Sequence, residues 1–193
     1  MAGESVLMAL EVASLVLHGA GIRYALIGGA ALPAWGRIRA TADADILIQL
    51  RLDTDQGKLA LGLTVKALRE AGFAHLERAD RQKLEDKWVF QFWFPIREHG
   101  ISLRVDLIAT GTREDEEIFN RAVLRKVDGF TVPVASCEDL ILLKLAAARP
   151  VDLADATELL TINKEALDMT YLEGRAAQKK LTSQLREILQ RAK

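Results

Sequence analysis

This sequence offers little sulfur or imidazole chemistry. Cys137 is the only cysteine, so no disulfide can form within the chain, and a zinc framework of the cysteine type is excluded. His18, His75 and His99 are scattered without ligand spacing. The formal net charge is −1, so no whole-molecule field grips nucleic acid, and an RNA contact would need a local basic patch. No apolar run is long enough to span a bilayer, so no membrane role is expected. The apolar residues 6–10 lack a basic start and stand between Glu4 and Glu11, which fits folded pattern better than a signal core. The expectation is a soluble cytoplasmic protein in a reducing compartment. Also missing are a Gly-x-Ser-x-Gly elbow, a Gly-Lys-Ser or Gly-Lys-Thr phosphate loop and any His-containing metal motif, which sets aside hydrolase and P-loop ATPase chemistry.

What is present is a globular composition. The 193 residues are 50% hydrophobic and 27% charged, enough to build one α/β unit with a helical appendage. Val6, Leu10, Ala13 and Leu17 recur at helical spacing and stop at Gly19 and Gly21. The strand Tyr24–Ile27 ends abruptly at Gly28-Gly29, and residues 30–35 read as a short helix with Pro33 in its first turn. Residues 43–50 form the next strand, and Leu61, Val65 and Leu68 mark an amphipathic helix closed by Gly72. The charged stretch 78–87 reads as an exposed connection. Residues 88–94 and 101–109 read as partner strands joined by a turn at 95–100. A helix over 114–122 and the strand Phe130–Val134 follow. From Ser136 the pattern is helical, broken at Pro150 and near residues 163–170. The predicted fold is α/β (α+β): a mixed sheet flanked by helices, with residues 1–135 as a core and a helical segment over 136–193 packed on it as one compact unit.

Carboxylates punctuate two of these strands. Side chains alternate faces along a strand, so Ala44, Ile46 and Ile48 take one face while Asp43 and Asp45 share the other. Two carboxylates side by side repel, and a divalent cation between them removes that cost. In the later strand Leu103, Val105 and Leu107 share a face, leaving Arg104 and Asp106 opposite them. Asp106 is a lone acid in an apolar strand centre, where an unpaired charge is expensive. If the two strands are neighbours, three carboxylates converge. Oxygen ligands without His or Cys suit magnesium or manganese. Taken singly, the Asp-x-Asp pair also fits a surface turn, and Asp106 also fits a pairing with Arg104 or Arg39.

Gly28-Gly29 stands between a strand and a helix, where a phosphate can approach bare backbone amides. The strand, this glycine turn, a short helix and then Arg39-Ala40-Thr41-Ala42-Asp43-Ala44-Asp45 together resemble the signature of the DNA polymerase beta-like nucleotidyltransferase superfamily. Asp106 in Leu103-Arg104-Val105-Asp106-Leu107-Ile108 matches its third acid. A second block runs from Ser136-Cys137-Glu138-Asp139-Leu140 through Lys144 to Arg149-Pro150-Val151-Asp152-Leu153-Ala154-Asp155. It is similar to the segment after the core in minimal nucleotidyltransferases of the abortive-infection toxin type. The resemblance spans residues 20 to 160. Gly29 stands where many active members carry serine, so a hydroxyl contact to phosphate is missing.

The resemblance implies a nucleotidyltransferase-type fold and a catalytic, metal-binding triad of Asp43, Asp45 and Asp106 holding magnesium or manganese. It also implies transfer of a nucleoside monophosphate from a nucleoside triphosphate to a hydroxyl acceptor, with release of pyrophosphate. Gly28, Gly29, Arg39 and Lys144 are the nucleotide-binding candidates. The acceptor is left open among an RNA end, a protein and a small molecule. The alternative is a non-catalytic nucleotide- or protein-binding component of a toxin–antitoxin pair with a partner protein.

Several residues carry two readings. Lys144 interrupts an apolar helix, and its ammonium needs either Asp152 or Asp155, or a triphosphate oxygen. Asp152 and Asp155 have the spacing of a helix cap and its third residue, and capping is expected of them. Arg37 and Arg39 either neutralise phosphate or decorate a solvated loop. Trp88, Phe90, Phe92 and Phe94 share one strand face and read as core, with a base-stacking platform as the alternative. Leu181, Leu185, Ile188 and Leu189 read as a helix packed on the domain, with Lys179, Lys180, Arg186, Arg191 and Lys193 as a weak basic face.

Overall fold

The computed structural model describes residues 2–74, 81–84, 87–96, 100–127 and 129–192. Its frame is a seven-stranded mixed sheet. The strands are β1 (Tyr24–Ile27), β2 (Asp43–Gln49), β3 (Arg81–Leu84), β4 (Lys87–Ile96), β5 (Ile101–Thr110), β6 (Val123–Val127) and β7 (Phe130–Val134). They lie in the order β3-β4-β5-β2-β1-β7-β6. The β2–β5 and β1–β7 pairs are parallel and the others antiparallel. The helices are α1 (Ala2–Gly19), α2 (Asp55–Glu70), α3 (Arg113–Arg121), α4 (Cys137–Ala147), α5 (Pro150–Asn163), α6 (Met169–Gln178) and α7 (Thr182–Arg191).

The predicted α/β layout is the observed one, with four local corrections. The expected helix over 30–35 is a 3-10 turn, Leu32–Trp35, closed by Gly36 at φ +88°. Pro33 near its start and the glycine just past its end leave room for only one turn. Of the stretch 78–87, read as an exposed connection, residues 81–84 pair with β4 as an edge strand and Lys87 opens β4. Residues 78–80, 85 and 86 lie outside the described ones, as do His75 and His99. The strand β6 was not predicted at all. Edge strands need no continuous apolar run, so Arg81-Gln82-Lys83-Leu84 and Val123-Leu124-Arg125-Lys126-Val127 carry little hydrophobic signal. Pro95 and Ile96 extend β4 beyond the expected turn, and residues 97–99 lie outside the described ones.

Two faces of the central strands explain the packing. Ala44, Ile46 and Ile48 of β2 pair with Val105, Leu107 and Ala109 of β5, and Phe90 and Phe92 of β4 continue that row. All are buried. The stripe Val6, Ala9, Leu10, Ala13 and Leu17 of α1 is buried as well, and α1 packs across β2 and β5. Burying each large aliphatic side chain stabilises the fold by about 1.5–3 kcal/mol. Trp88 and Phe94 are only partly buried, so the aromatic row is core at its centre and rim at its ends. Among the described residues, no helix is long and apolar enough to cross a membrane.

The helical segment locks on through polar anchors as well as apolar ones. Ser136 caps α4: its Oγ accepts from the Asp139 amide at 3.1 Å and donates to the Asp139 carboxylate at 2.8 Å. Tyr171 donates its hydroxyl to Asp139 at 2.7 Å, and Glu138 accepts from the Asp168 amide at 2.9 Å. Arg121 of α3 pairs with Glu138 at 3.1 Å and stacks 3.8 Å above the Tyr171 ring. Much of the Ser136-to-Asp139 block therefore joins α3, α4 and α6. Leu181, Leu185 and Ile188 are buried, and α7 packs on α5 and α6.

Candidate active site

The parallel register of β2 and β5 sets Asp45 directly beside Asp106, and Asp43 beside Arg104. The three carboxylates thus share one sheet face, opposite the apolar row. Adjacent strands run about 4.8 Å apart, so the side chains are within mutual electrostatic reach. β4 adds Gln91 beside Asp106, and Gln91 hydrogen-bonds that carboxylate.

Their environment is electrostatically loaded. Burial pushes the Asp45 carboxyl up to about 6, with the Asp43 and Asp106 charges adding to the shift and Arg104 and Lys144 opposing it. Burial also raises Asp106, against Arg104 and Gln91, with Asp43 pushing the same way as burial. Arg104 supplies the nearest positive charge: it pairs with Asp43 and lies 3.3 Å from Asp106. That second contact is not a hydrogen bond, since Asp106 Oδ1 and Arg104 Nε are both buried and unpartnered. Among the described residues, no three His, Cys, Asp or Glu side chains close on one metal-sized point. Arg104 touches both Asp43 and Asp106 there.

The glycine turn lies against the same acids. Gly28 has φ +67°, and a β-carbon there would sit 2.0 Å from Asp45 Oδ2, so only glycine fits. A β-carbon on Gly29 would meet Thr41 Oγ1 at 2.7 Å and Arg39 Nη2 at 3.2 Å. Thr41, which sequence reasoning passed over, lies 3.2 Å from Asp43 Oδ1 and 3.1 Å from its carbonyl oxygen. Its only signal was its place two residues ahead of the acid pair.

The basic candidates converge elsewhere. Lys144 donates to Asp152 and Asp155, each at 2.9 Å, which is the salt-bridge alternative of its two readings. Asp155 is fully buried and also receives Arg37 at 2.7 Å and Arg39 at 3.2 Å. Arg37 additionally pairs with Glu158. These arginines are therefore anchored, not decorations of a solvated loop. The capping expectation for Asp152 and Asp155 is overturned: the N-cap position of α5 is Arg149, which makes no side-chain cap, and both acids lie inside the helix as buried counter-ions. Pro150 lacks an amide hydrogen and occupies the first turn itself, which moves the cap ahead of it. Burial would raise Asp155, but hydrogen bonds from Arg37 and Lys144 outweigh it and hold the carboxyl below its ordinary range. Lys144 links the two clusters, because its charge is felt at Asp45. Arg149, bonded to Asp152 at 2.5 Å and largely exposed, feels the charges of Asp45 and Asp43 as well.

The donor set fits a hard divalent cation. It is all carboxylate oxygen, Asp106 Oδ1 has an unused lone pair, and Asp45 is raised first by burial and then by its acidic neighbours. Cys137 is a poor alternative nucleophile, since burial pushes its thiol up to about 12.

Solved structures share this architecture. JHP933 from Helicobacter pylori is 17% identical, with a TM-score of 0.56 over 94% of this chain and 78% of that one. The antibiotic-resistance factor ANT(2'')-Ia is 16% identical, with a TM-score of 0.56 over 97% of each chain. TM1012 from Thermotoga maritima is 15% identical, with a TM-score of 0.52 over 82% of this chain and 93% of that one. At these identities the likeness is one of fold. No curated protein matches significantly. The family model described as "Nucleotidyl transferase AbiEii toxin, Type IV TA system" matches residues 12–192, nearly the whole chain, and the chain belongs to that nucleotidyltransferase family.

Proposed function

We propose that this chain transfers a nucleoside monophosphate from a nucleoside triphosphate to a hydroxyl acceptor in a divalent-metal-dependent reaction. The observation that carries this is the register that sets Asp45 beside Asp106 with Gly28 against the same carboxylate. The acceptor oxygen attacks the α-phosphorus, the bond to the bridging oxygen breaks, and pyrophosphate leaves. Asp43, Asp45 and Asp106 would hold magnesium or manganese, which when bound screens triphosphate charge and acidifies the attacking hydroxyl. Asp106 accepts the hydroxyl proton, a role suited to a carboxyl raised by burial. The Gly28-Gly29 turn presents backbone to the phosphates, and Arg39, close over Gly29, adds a planar donor. Lys144 acts from its bridge with Asp155 by lowering the negative potential at Asp45. The acceptor is an RNA end, a protein or a small molecule.

The test is incubation with magnesium, labelled triphosphates and candidate acceptors, beside Asp43→Ala and Asp106→Ala. Label transfer by wild type only is expected. Equal labelling by all three proteins would refute the assignment.

One observation favours a second reading. Arg104 already pairs with Asp43 and contacts Asp106, as it would in a non-catalytic nucleotide- or protein-binding component of a toxin–antitoxin pair. That reading expects triphosphate or partner-protein binding without turnover. Partner association unchanged by Asp43→Ala, with no label transferred, would establish it over the first.

A further inference from the structure

We propose that Arg104 is a resident counter-ion which competes with the divalent cation for Asp43 and Asp106, so that metal binds well only together with the triphosphate. This rests on the metal-dependent reading above and concerns how the same site is loaded.

Three features support the idea. The first is charge: two of the three carboxylates, Asp43 and Asp106, pair with one guanidinium, so the metal-free cluster is partly neutralised from within and an incoming cation gains less attraction. Location is the second. The Arg104 side chain is 36% exposed and Asp43 is 30% exposed, so the guanidinium can leave towards solvent without opening the core. Bonding is the third. Arg104 holds Asp106 by charge alone, with Nε and Oδ1 both unpartnered. Removing Arg104 therefore costs Asp106 no hydrogen bond, and a cation at Oδ1 satisfies a lone pair the arginine leaves unused. A triphosphate brings anionic oxygens that can take over the displaced guanidinium, so metal and nucleotide bind cooperatively.

The experiment is calorimetric titration of the full chain with Mn2+, with and without a non-hydrolysable triphosphate, for wild type, Arg104→Met and Arg104→Lys. Thermal melts in chelator and far-UV dichroism accompany it. Arg104→Met should bind Mn2+ alone at least tenfold more tightly than wild type, melt lower in chelator and regain that loss with Mn2+. Arg104→Lys, which keeps the charge but not the fork, should fall between them. The triphosphate should tighten Mn2+ binding by wild type much more than by Arg104→Met. Equal or weaker Mn2+ binding by a folded Arg104→Met overturns the competition. If Arg104→Met does not fold, Arg104→Lys decides, and Mn2+ affinity no tighter than wild type overturns it. Absence of Mn2+ binding by every protein even with triphosphate would remove the metal site itself, and this proposal with it.

Discussion

Gly28 and Asp45 are in such close approach that a single added methyl group on the glycine would collide with the carboxylate, at 2.0 Å from Oδ2. The contact couples the turn to the acid cluster. Gly28→Ala faces both this collision and a left-handed backbone, so a loss of about 1–3 kcal/mol of stability is expected, with loss of nucleotide transfer. Gly29→Ser has no positive φ to oppose it and meets movable side chains, Thr41 and Arg39. Denaturant melts and label transfer on both variants check this, and Gly28→Ala as stable as wild type would contradict it.

Asp45 gives a pH prediction for the metal-free protein. Its folded pKa, about 6, lies above the ordinary carboxylate value, so between those pH values the folded state holds more protons than the unfolded one. Its contribution is favourable at low pH and declines as pH rises through that window. Asp45→Asn should therefore gain on wild type as pH goes from 4 to 7, melting higher at neutral pH in chelator. Each kcal/mol corresponds to about 2–4 °C in a chain of this size. A difference between the two proteins that stays flat with pH would count against the raised carboxyl.

Asp155 receives Lys144, Arg37 and Arg39 while fully buried. Asp155→Ala leaves a buried ammonium with Asp152 as its remaining carboxylate, takes from Arg39 its carboxylate partner and leaves Arg37 with Glu158. The expected cost is about 3–5 kcal/mol. The carboxyl is held low, so its stabilisation is present at neutral pH and is lost as pH falls through the folded value. Urea unfolding of Asp155→Ala and wild type at neutral and acidic pH checks both size and sign; the gap should narrow in acid.

Tyr171 donates to buried Asp139 at 2.7 Å, and burial, reinforced by Asp139, raises its phenol above the ordinary value. Tyr171→Phe keeps the ring under Arg121 and removes only the donor. A loss of about 1–3 kcal/mol is expected, because Asp139 is left short of one charge-assisted bond. An unchanged melting temperature would mean that the Tyr171 hydroxyl bond to Asp139 adds nothing to how α6 is held.

Much of the site was legible in the chain because strand periodicity is strictly local. Asp43 and Asp45 must share a face, and so must Arg104 and Asp106, whatever the rest of the molecule does. The glycine pair, the apolar α1 stripe and the buried character of α4 were likewise written in residue type and spacing. Pairing was not. That Asp45 stands beside Asp106, and not one residue out of step, depends on β2 and β5 being parallel neighbours in register. A slip by one residue would have turned the acid to the opposite face. The partners of the basic side chains were also decided in three dimensions. Lys144, Arg37 and Arg39 meet on Asp155 across gaps of 11, 118 and 116 residues, over which no sequence pattern records distance. The sequence by itself determined which side chains carry charge and which face of each element they take. Only the tertiary structure decided which charges meet, because electrostatic pairing depends on separation in space and on the burial that strengthens it.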